Sequence, residues 1–281
     1  MDERLYLEKT QIIRWNNGRW NDEEDWLSIE EPLALEVNGH RVAVLMRLPG
    51  AEKELAAGFL VSEGLVENFG AIKMISHCGR LLPGEVSEDP LQPSRNIVRV
   101  RASGLEDRTD TALLLIRSGC GRTRVSDLDE TLPRVTGEVI VDMEVLTRIA
   151  RVILEEQEVR KMAGGVHLAA LFDRQGTLLC AYEDVGRHNA ADKVVGHALL
   201  SGIGLEDKIL YNTGRASYEL VTKAARMNIP VLASKSSPTS LAVELAETTG
   251  ITLCGFVRPH RANIYSGRHR VRLEEQTPPE E

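Results

Sequence analysis

The alternation of short apolar strands with helices after residue 166 constrains the fold more than any other feature of this sequence. Two strands are predicted at 166–172 and 178–182, on either side of a turn at 173–177. The elements that follow are predicted as helices at 189–200, 217–227 and 240–248 and as strands at 208–212, 231–234 and 251–256. Strands that alternate with helices pair mainly in parallel, with right-handed crossovers. The sequence therefore predicts an α/β domain with a mainly parallel sheet.

The N-terminal part of the chain has the pattern of an α+β domain. Residues 33–48 alternate between apolar and polar side chains around Asn38 and Gly39, a pair typical of a two-residue hairpin turn. A helix is predicted over 52–64, since its apolar residues recur at helical spacing. A loop at 82–94 and a strand at 97–102 are also predicted. Residues 1–28, polar but rich in tryptophan, are either an irregular lead-in or an edge hairpin.

A chain of 281 residues is long enough for two domains of ordinary size. We predict an N-terminal α+β domain at 1–116 and a C-terminal α/β domain at 139–273, which begins with a helix at 143–162. A mobile loop at 117–138 joins them, because glycine, serine, threonine and charged residues replace any clear periodicity there. The tail at 274–281, rich in glutamate and proline, is predicted to be disordered.

The composition argues against several classes of partner. The formal net charge of -8 disfavours nucleic-acid polymers and anionic membranes. No apolar run approaches the roughly 20 residues that a membrane helix needs. Residues 1–4 lack the pattern of a signal peptide, so a cytoplasmic location is expected. The four cysteines have no zinc-site spacing and the zinc deaminase signature is missing, so no metal ligands and no zinc are expected.

One cysteine has the surroundings of a reactive thiol. Cys120 lies between two glycines, which allow another molecule to approach the sulfur closely. Three arginines are close in sequence and would favour the thiolate, namely Arg117, Arg122 and Arg124. Cys254, by contrast, lies among apolar residues and has the pattern of an inert buried cysteine. The plainer alternative is that Cys120 is a free cysteine in an ordinary loop.

Three predicted loops follow strands of the α/β domain and carry cationic side chains. They cover 213–217, 234–240 and 257–261 and include Gly214, Arg215, Ser217, Lys235, Arg258 and Arg261. Ligands of open α/β sheets bind beyond the carboxyl ends of the strands, and helix N-termini attract anions. A phosphate-bearing ligand such as a nucleotide or dinucleotide is therefore predicted. The alternative is that Ser217, Ser237 and Ser240 only cap helices and the arginines are solvated.

A second polar cluster is predicted where a strand meets a helix. Residues 183–193 include Glu183, Asp184, Arg187, His188 and an asparagine. The run GGVH at 164–167, just before another strand, supplies a second histidine, His167. This density of polar residues exceeds what helix capping requires. His188 and His167 are candidate proton donors, although a lone histidine is more often structural.

Several motifs together resemble the formate dehydrogenase accessory sulfurtransferase (FdhD) family. They are EEPL at 30–33, LAAGFL at 55–60, GGVH at 164–167, EDVGRHN at 183–189, GRAS at 214–217 and SLAVELA at 240–246. The resemblance implies a homodimeric protein that takes sulfur from a cysteine desulfurase as a persulfide. It also implies transfer of that sulfur to the molybdenum bis(molybdopterin guanine dinucleotide) cofactor of formate dehydrogenase, and a C-terminal domain with a cytidine-deaminase-like fold.

The resemblance also assigns residues. It implies that Cys120 carries the persulfide and that the cofactor binds along Phe256, Val257, Arg258, Pro259, His260 and Arg261. Further candidate cofactor contacts are Gly214, Arg215, Ser217, Lys235, His167, Arg187 and His188. A guanine nucleotide is the expected mimic of the cofactor.

The chain departs from the family at one position that bears on the chemistry. The family usually carries Cys-x-x-Cys, but Thr123 occupies the place of the second cysteine. Sulfur transfer through Cys120 remains the first hypothesis, because a persulfide needs only one sulfur nucleophile. The second is a chaperone that holds the cofactor for its client enzyme without chemistry. The third is a thiol redox sensor, in which Cys78 or Cys180 would pair with Cys120.

Overall fold

The computed structural model describes residues 5–78, 96–104, 114–116 and 132–273. These residues divide into two compact units, each assembled from segments that are separate in sequence. The first unit falls within Met1–Arg122, Gln157–Leu168 and Tyr182–His197, and the second within Thr123–Glu156, Ala169–Ala181 and Ala198–Glu281. The predicted domains are contiguous, whereas the segments 157–168 and 182–197 of the predicted C-terminal domain belong to the first unit.

The first unit is organised around a five-stranded sheet. Its strands are β3 (Glu31–Val37), β4 (His40–Arg47), β5 (Ile72–Cys78), β6 (Ile97–Ala102) and β7 (Leu114–Ile116), in the order β5-β6-β3-β4-β7. The predicted hairpin is confirmed, because β3 and β4 pair antiparallel around Asn38 and Gly39. The φ angles of this turn, 51° and 87°, are the left-handed values that a two-residue hairpin requires.

A second hairpin precedes this sheet. Its strands, β1 (Leu7–Asn16) and β2 (Arg19–Ser28), pair in register over their whole length and form a two-stranded sheet of their own. The hairpin interpretation of the N-terminal segment is therefore confirmed. Leu7 and Trp26 anchor the base of this hairpin, where they pack with Leu48, Val159 and Val166.

Two helices of the first unit cross with their backbones in contact. They are α1 (Glu52–Ser62) and α4 (Arg187–Leu200), both predicted from the sequence. A Cβ atom added at Gly58 would lie 1.9 Å from the carbonyl oxygen of Asp192, and one added at Gly196 would lie 1.8 Å from that of Glu54. Only glycine allows this approach, because any side chain would overlap the opposite backbone.

The α/β part of the chain forms a six-stranded sheet. The strands are β9 (His167–Phe172), β10 (Leu178–Asp184), β11 (Ile209–Asn212), β12 (Val231–Ser234), β13 (Thr252–Arg258) and β14 (Arg261–Ile264), in the order β10-β9-β11-β12-β13-β14. Only β11, β12 and β13 pair in parallel, whereas β9 and β14 pair antiparallel with their neighbours in this group. The prediction of a mainly parallel sheet is therefore wrong for the outer strands. The connection between β13 and β14 is too short for a crossover helix.

The second unit also holds three predicted helices and a small sheet. Helices α5 (Tyr218–Arg226) and α6 (Ser240–Thr249) follow β11 and β12, and α2 (Met143–Glu156) precedes β9. Thr239 is the N-cap of α6, because its hydroxyl oxygen accepts the N–H of Ala242 at 3.3 Å. Strands β8 (Val141–Asp142) and β15 (Val271–Arg272) pair in parallel.

The helix predicted at 143–162 is interrupted. The structure instead has α2, which ends at Glu156, and a short helix α3 (Glu158–Ala163). The carboxylate of Glu183 accepts the backbone N–H groups of Val159 and Arg160 at 2.7 and 3.1 Å, and thereby stabilises a new helix start. An acid distant in sequence therefore decides where α3 begins.

Three predictions lie outside the described residues: the loop at 82–94, the segment around Cys120 and the tail at 274–281. The described end of the predicted connecting loop, 132–138, forms neither helix nor strand. Among the helices that the structure describes, none combines the length and apolar character needed to span a membrane.

Candidate functional site

The cationic loops predicted from the sequence share one edge of the six-stranded sheet. Because β11, β12 and β13 are parallel, their carboxyl ends lie on the same edge. The loop at 213–217 follows β11 and the loop at 235–239 follows β12. The two loops are joined by a backbone hydrogen bond of 3.2 Å, in which Ala216 N–H donates to the carbonyl of Ser237. The sheet thus brings together the loops that the sequence analysis singled out.

The same type of side-chain to backbone hydrogen bond stabilises both loops. Asn212 Oδ1, at the end of β11, accepts the N–H of Gly214 at 3.0 Å. Ser234 Oγ, at the end of β12, accepts the N–H of Ser236 at 3.1 Å and donates to the carbonyl of Gly214 at 2.6 Å. Short polar side chains of this kind hold a tight turn by bonding to the backbone two residues on. Ser234 lies within the loop predicted at 234–240, whereas Asn212 lies outside the predicted loops, two positions before Gly214.

Four cations lie on this edge of the second unit, and we call them the cationic edge: Arg215, Lys235, Arg258 and Arg261. The three arginines are exposed, and none forms an ion pair with another described residue. Lys235 is half-buried. Exposed guanidinium groups without carboxylate partners can bind a phosphate through two parallel hydrogen bonds. The cationic edge therefore has the charge and the donors for a phosphate-bearing ligand.

The third predicted loop is a tight hairpin. Val257 and Arg258 belong to β13 and Arg261 begins β14, so that only Pro259 and His260 form the turn. Strand β14 was not predicted, because two of its four residues are exposed and the other two only half-buried, so that it lacks an apolar run. Tyr211 Oη donates to the carbonyl of Val257 at 3.1 Å, and burial raises the pKa of this tyrosine. The hairpin is thus fixed to β11, which lies two strands away from β13 in the sheet.

Phe256 has an unusual backbone conformation beside the cationic edge. Its φ angle of 52° lies in the left-handed region, which a bulky aromatic residue rarely adopts. Its N–H donates to the carbonyl of Ser236 at 3.0 Å, and the pairing of β13 with β14 is irregular between Gly255 and Arg258. The guanidinium of Arg261 lies 5.6 Å from the ring centroid. A half-buried aromatic ring beside arginines offers a flat surface on which a base could stack.

In the first unit, the predicted polar cluster is mostly an internal network. Asp184 is fully buried, and its carboxylate accepts from Leu48 N–H at 3.2 Å and from Gly186 N–H at 2.9 Å. Lys193 Nζ lies 2.8 Å from Asp184 Oδ2 and donates to the carbonyl of Leu48 at 2.8 Å. Asn189 Nδ2 bonds both Asp184 Oδ1 and a carbonyl of β4. Much of the polar density therefore connects the β10–α4 junction to the end of β4.

His167, Arg187 and His188 all lie in the first unit, at the starts of β9 and α4. Burial lowers the pKa of His167, and the positive charges of Arg187 and Arg160 lower it further, although Asp184 opposes them. His167 is therefore uncharged near neutral pH, which suits a proton acceptor better than a donor. His188 is buried. The donor roles of the two histidines stay predictions.

The described cysteine side chains are poor nucleophiles. Burial raises the pKa of both Cys180 and Cys254 to about 12. The prediction that Cys254 is a buried, inert cysteine is confirmed. A thiol with this pKa carries little thiolate at neutral pH, which disfavours Cys180 as the partner in a redox sensor. Cys120 lies outside the described residues.

Within the part of the chain that the structure describes, no group of three or more histidine, cysteine or acidic side chains could hold a metal ion. The candidate site residues instead form two sets, one in each unit. Gly214, Arg215, Ser217, Lys235 and residues 256–261 lie in the second unit. The three residues at the starts of β9 and α4 lie in the first.

Comparison with known proteins gives consistent matches over most of the chain. The sequence model of the FdhD/NarQ family matches residues 28–272. A sulfur carrier protein FdhD from Anaeromyxobacter dehalogenans is 40% identical, over 89% of this chain and 89% of the relative. The protein of the same name from Streptomyces avermitilis is 40% identical, over 95% and 96%. A crystal structure of a formate dehydrogenase accessory protein from Desulfotalea psychrophila superposes with a TM-score of 0.75 at 25% identity and covers 95% of this chain and 100% of that one.

Proposed function

The chain belongs to the FdhD/NarQ family, as its motifs predict, and on that basis we propose that it carries sulfur for formate dehydrogenase. In this proposal Cys120 accepts sulfur from a cysteine desulfurase. The protein then passes the sulfur to molybdenum bis(molybdopterin guanine dinucleotide), which is its bound substrate. A homodimer, a cytoplasmic location and a cytidine-deaminase-like C-terminal arrangement belong to the same proposal.

The cationic edge is the observation that best supports the proposal. Each guanine dinucleotide arm of the cofactor carries a pyrophosphate, and the exposed arginines beside the carboxyl ends of β11, β12 and β13 suit such a group. Phe256, at the same edge, provides a ring against which guanine could stack. Charge and an aromatic surface together favour a nucleotide over a simple anion.

We expect guanosine diphosphate to bind at the cationic edge. In the double variant Arg258→Glu/Arg261→Glu, the affinity should fall roughly 100-fold, because two charge-assisted contacts to phosphate are lost and repulsion replaces them. Isothermal titration calorimetry at a fixed salt concentration measures this change. Arg151→Glu is the matched control, since Arg151 is an exposed arginine on α2 of the same unit and its loss should leave the affinity unchanged. Equal affinities of all three proteins, or no binding, would contradict a nucleotide site here.

Sulfur transfer to Cys120 is written as an exchange between two sulfur atoms. The Cys120 thiolate attacks the terminal sulfur of the desulfurase persulfide, and the S–S bond of that persulfide breaks. The desulfurase cysteine leaves as a thiolate, so the new persulfide resides on Cys120 and no external oxidant is needed. The nearby arginines would favour the attacking thiolate.

The predicted product is detectable by mass. After incubation with a cysteine desulfurase and cysteine, the intact protein should gain about 32 Da, the mass of one sulfur atom in a persulfide. The gain should vanish in Cys120→Ala and persist in Cys180→Ala, because the pKa of Cys180 is raised to about 12. A mass gain that persists in Cys120→Ala would show that another residue carries the sulfur.

The chaperone function is the second candidate, and Thr123 is the observation that favours it. Without a second cysteine near Cys120 in sequence, no local relay between two thiols can operate. A protein that binds guanosine diphosphate at the cationic edge but never acquires the sulfur adduct is a cofactor chaperone. The nucleotide and mass measurements therefore separate the two candidates.

A further inference from the structure

The hairpin of β1 and β2 is a narrow ribbon with two unlike faces. Side chains of directly opposed residues point to the same face of an antiparallel pair. One face carries Leu7 and Trp26 at the base and Ile13, Trp15 and Trp20 toward the turn. We call the last three residues the tryptophan tip. The family match begins at residue 28, so the tryptophan tip precedes it.

The tryptophan tip is apolar and exposed. Ile13 is 68% exposed, Trp15 59% and Trp20 70%. The two tryptophans are opposed across the strands, with ring centroids 6.2 Å apart. The base of this face is packed against the core of the first unit, so on this face only the outer half of the ribbon leaves large apolar side chains in water. Exposed clusters of aromatic residues mark interaction sites more often than chance surface composition does.

The charges of the hairpin are mostly neutralised within it. Arg14, on the opposite face, pairs with Glu23 at 2.7 Å and with Asp25 at 3.0 Å. Lys9 pairs with Glu24 at 3.0 Å. Asp22 is the remaining acid of the run, and it forms no ion pair with any residue in the described ranges.

Asp22 lies on the same face as the tryptophan tip. It is directly opposite Ile13, so its carboxylate borders the apolar surface. A partner that covers the tip must therefore supply an apolar groove and place a cation beside Asp22. This combination of shape and charge defines the chemistry of the partner.

We propose that the tryptophan tip docks into an apolar groove of the client enzyme, formate dehydrogenase, with a lysine or arginine of that groove beside Asp22. The inference rests on the proposed function, which supplies the client.

Two other occupants fit the charges less well. An anionic membrane would be repelled by the uncompensated carboxylate, and membrane-binding surfaces are instead rich in lysine and arginine around their apolar residues. In a two-fold pairing of tips from two copies, the acidic strands β2 would approach each other, on a chain whose net charge is already -8. Both remain outcomes of the experiment.

The test measures binding of this protein to purified apo-formate dehydrogenase by isothermal titration calorimetry. The double variant Trp15→Ser/Trp20→Ser should weaken binding roughly thirtyfold or more, as expected for the loss of aromatic anchors at an interface. Asp22→Lys should weaken it roughly fivefold and reverse part of its salt dependence. Leu27→Ser is the matched control, because Leu27 is 51% exposed on the other face of the ribbon and should not affect binding.

Several results would overturn the proposal. It fails if wild type does not bind the apoenzyme, or if the tryptophan variant binds as tightly as wild type while its thermal unfolding is unchanged. It also fails if the same variant instead loses binding to anionic vesicles or loses self-association in sedimentation. Nucleotide binding and the sulfur adduct report separately on the proposed function, so its failure and the failure of the docking proposal are distinguishable.

Discussion

Replacing Gly196 by alanine is expected to lower the free energy of unfolding by about 3 kcal/mol or more, or to prevent folding. The added methyl group would lie 1.8 Å from the carbonyl oxygen of Glu54, and the next nearest atoms are also backbone atoms of Glu54. A flexible side chain could move aside, but here helices α1 and α4 must separate. Gly58→Ala should behave in the same way, because its methyl group would meet the carbonyl oxygen of Asp192 at 1.9 Å.

Urea denaturation of the purified variants measures this loss, and soluble yield reports it where no folded protein is obtained. Gly104→Ala is the matched control in the same unit. No atom of the described residues lies within 4 Å of its added methyl group. Its φ of 83° therefore predicts only a loss of about 1 kcal/mol from backbone strain. If Gly196→Ala and Gly104→Ala lower the free energy of unfolding by the same amount, the close crossing of α1 and α4 does not require glycine at position 196.

The second large effect is expected at the buried pair of Asp184 and Lys193. Lys193→Met should lower the free energy of unfolding by about 3–5 kcal/mol, because it leaves the Asp184 carboxylate buried without its cation. The carbonyl of Leu48 would also lose the ammonium donor that lies 2.8 Å away. The double variant Asp184→Asn/Lys193→Met removes both charges and should recover part of the loss.

Chemical denaturation of both single variants and the double variant completes a double-mutant cycle, which gives the interaction free energy between Asp184 and Lys193. Arg41→Met is the control, since Arg41 lies 3.8 Å from Glu36 with a side chain 40% exposed, and exposed pairs contribute at most about 1 kcal/mol. A loss at Lys193 as small as that at Arg41 would mean that the buried pair contributes no more than a solvent-exposed one.

Local sequence signals predict those elements whose pattern lies within the element itself. The Asn38-Gly39 turn determines one hairpin, and the apolar stripe of α2 appears in the structure as the buried face of Leu146, Ile149 and Ile153. The break after Glu156 could not be predicted in this way. It depends on Glu183, an acid 24 residues after Val159 whose contact exists only in the folded chain.

The candidate site, like the fold, was predictable only where local sequence patterns determine it. Cationic residues in loops after parallel strands predict the cationic edge, since strand polarity alone places those loops together. The polar run at 183–193 is harder to interpret, because a ligand site and a buried network use the same residue types. Nothing in the local sequence shows that Asp184 and Lys193 are buried. Their burial, their ion pair and their bonds to Leu48 exist only in the folded chain.

The interleaving of the two units has a consequence for biosynthesis. The chain passes between them five times, after Arg122, Glu156, Leu168, Ala181 and His197, so no single cut yields either unit whole. A nascent chain that has emerged only as far as α1 lacks α4, the helix whose Gly196 completes the crossing. Translation must therefore proceed beyond residue 197 before the first unit can close, and a stalled or truncated product would expose α1 to chaperones and proteases.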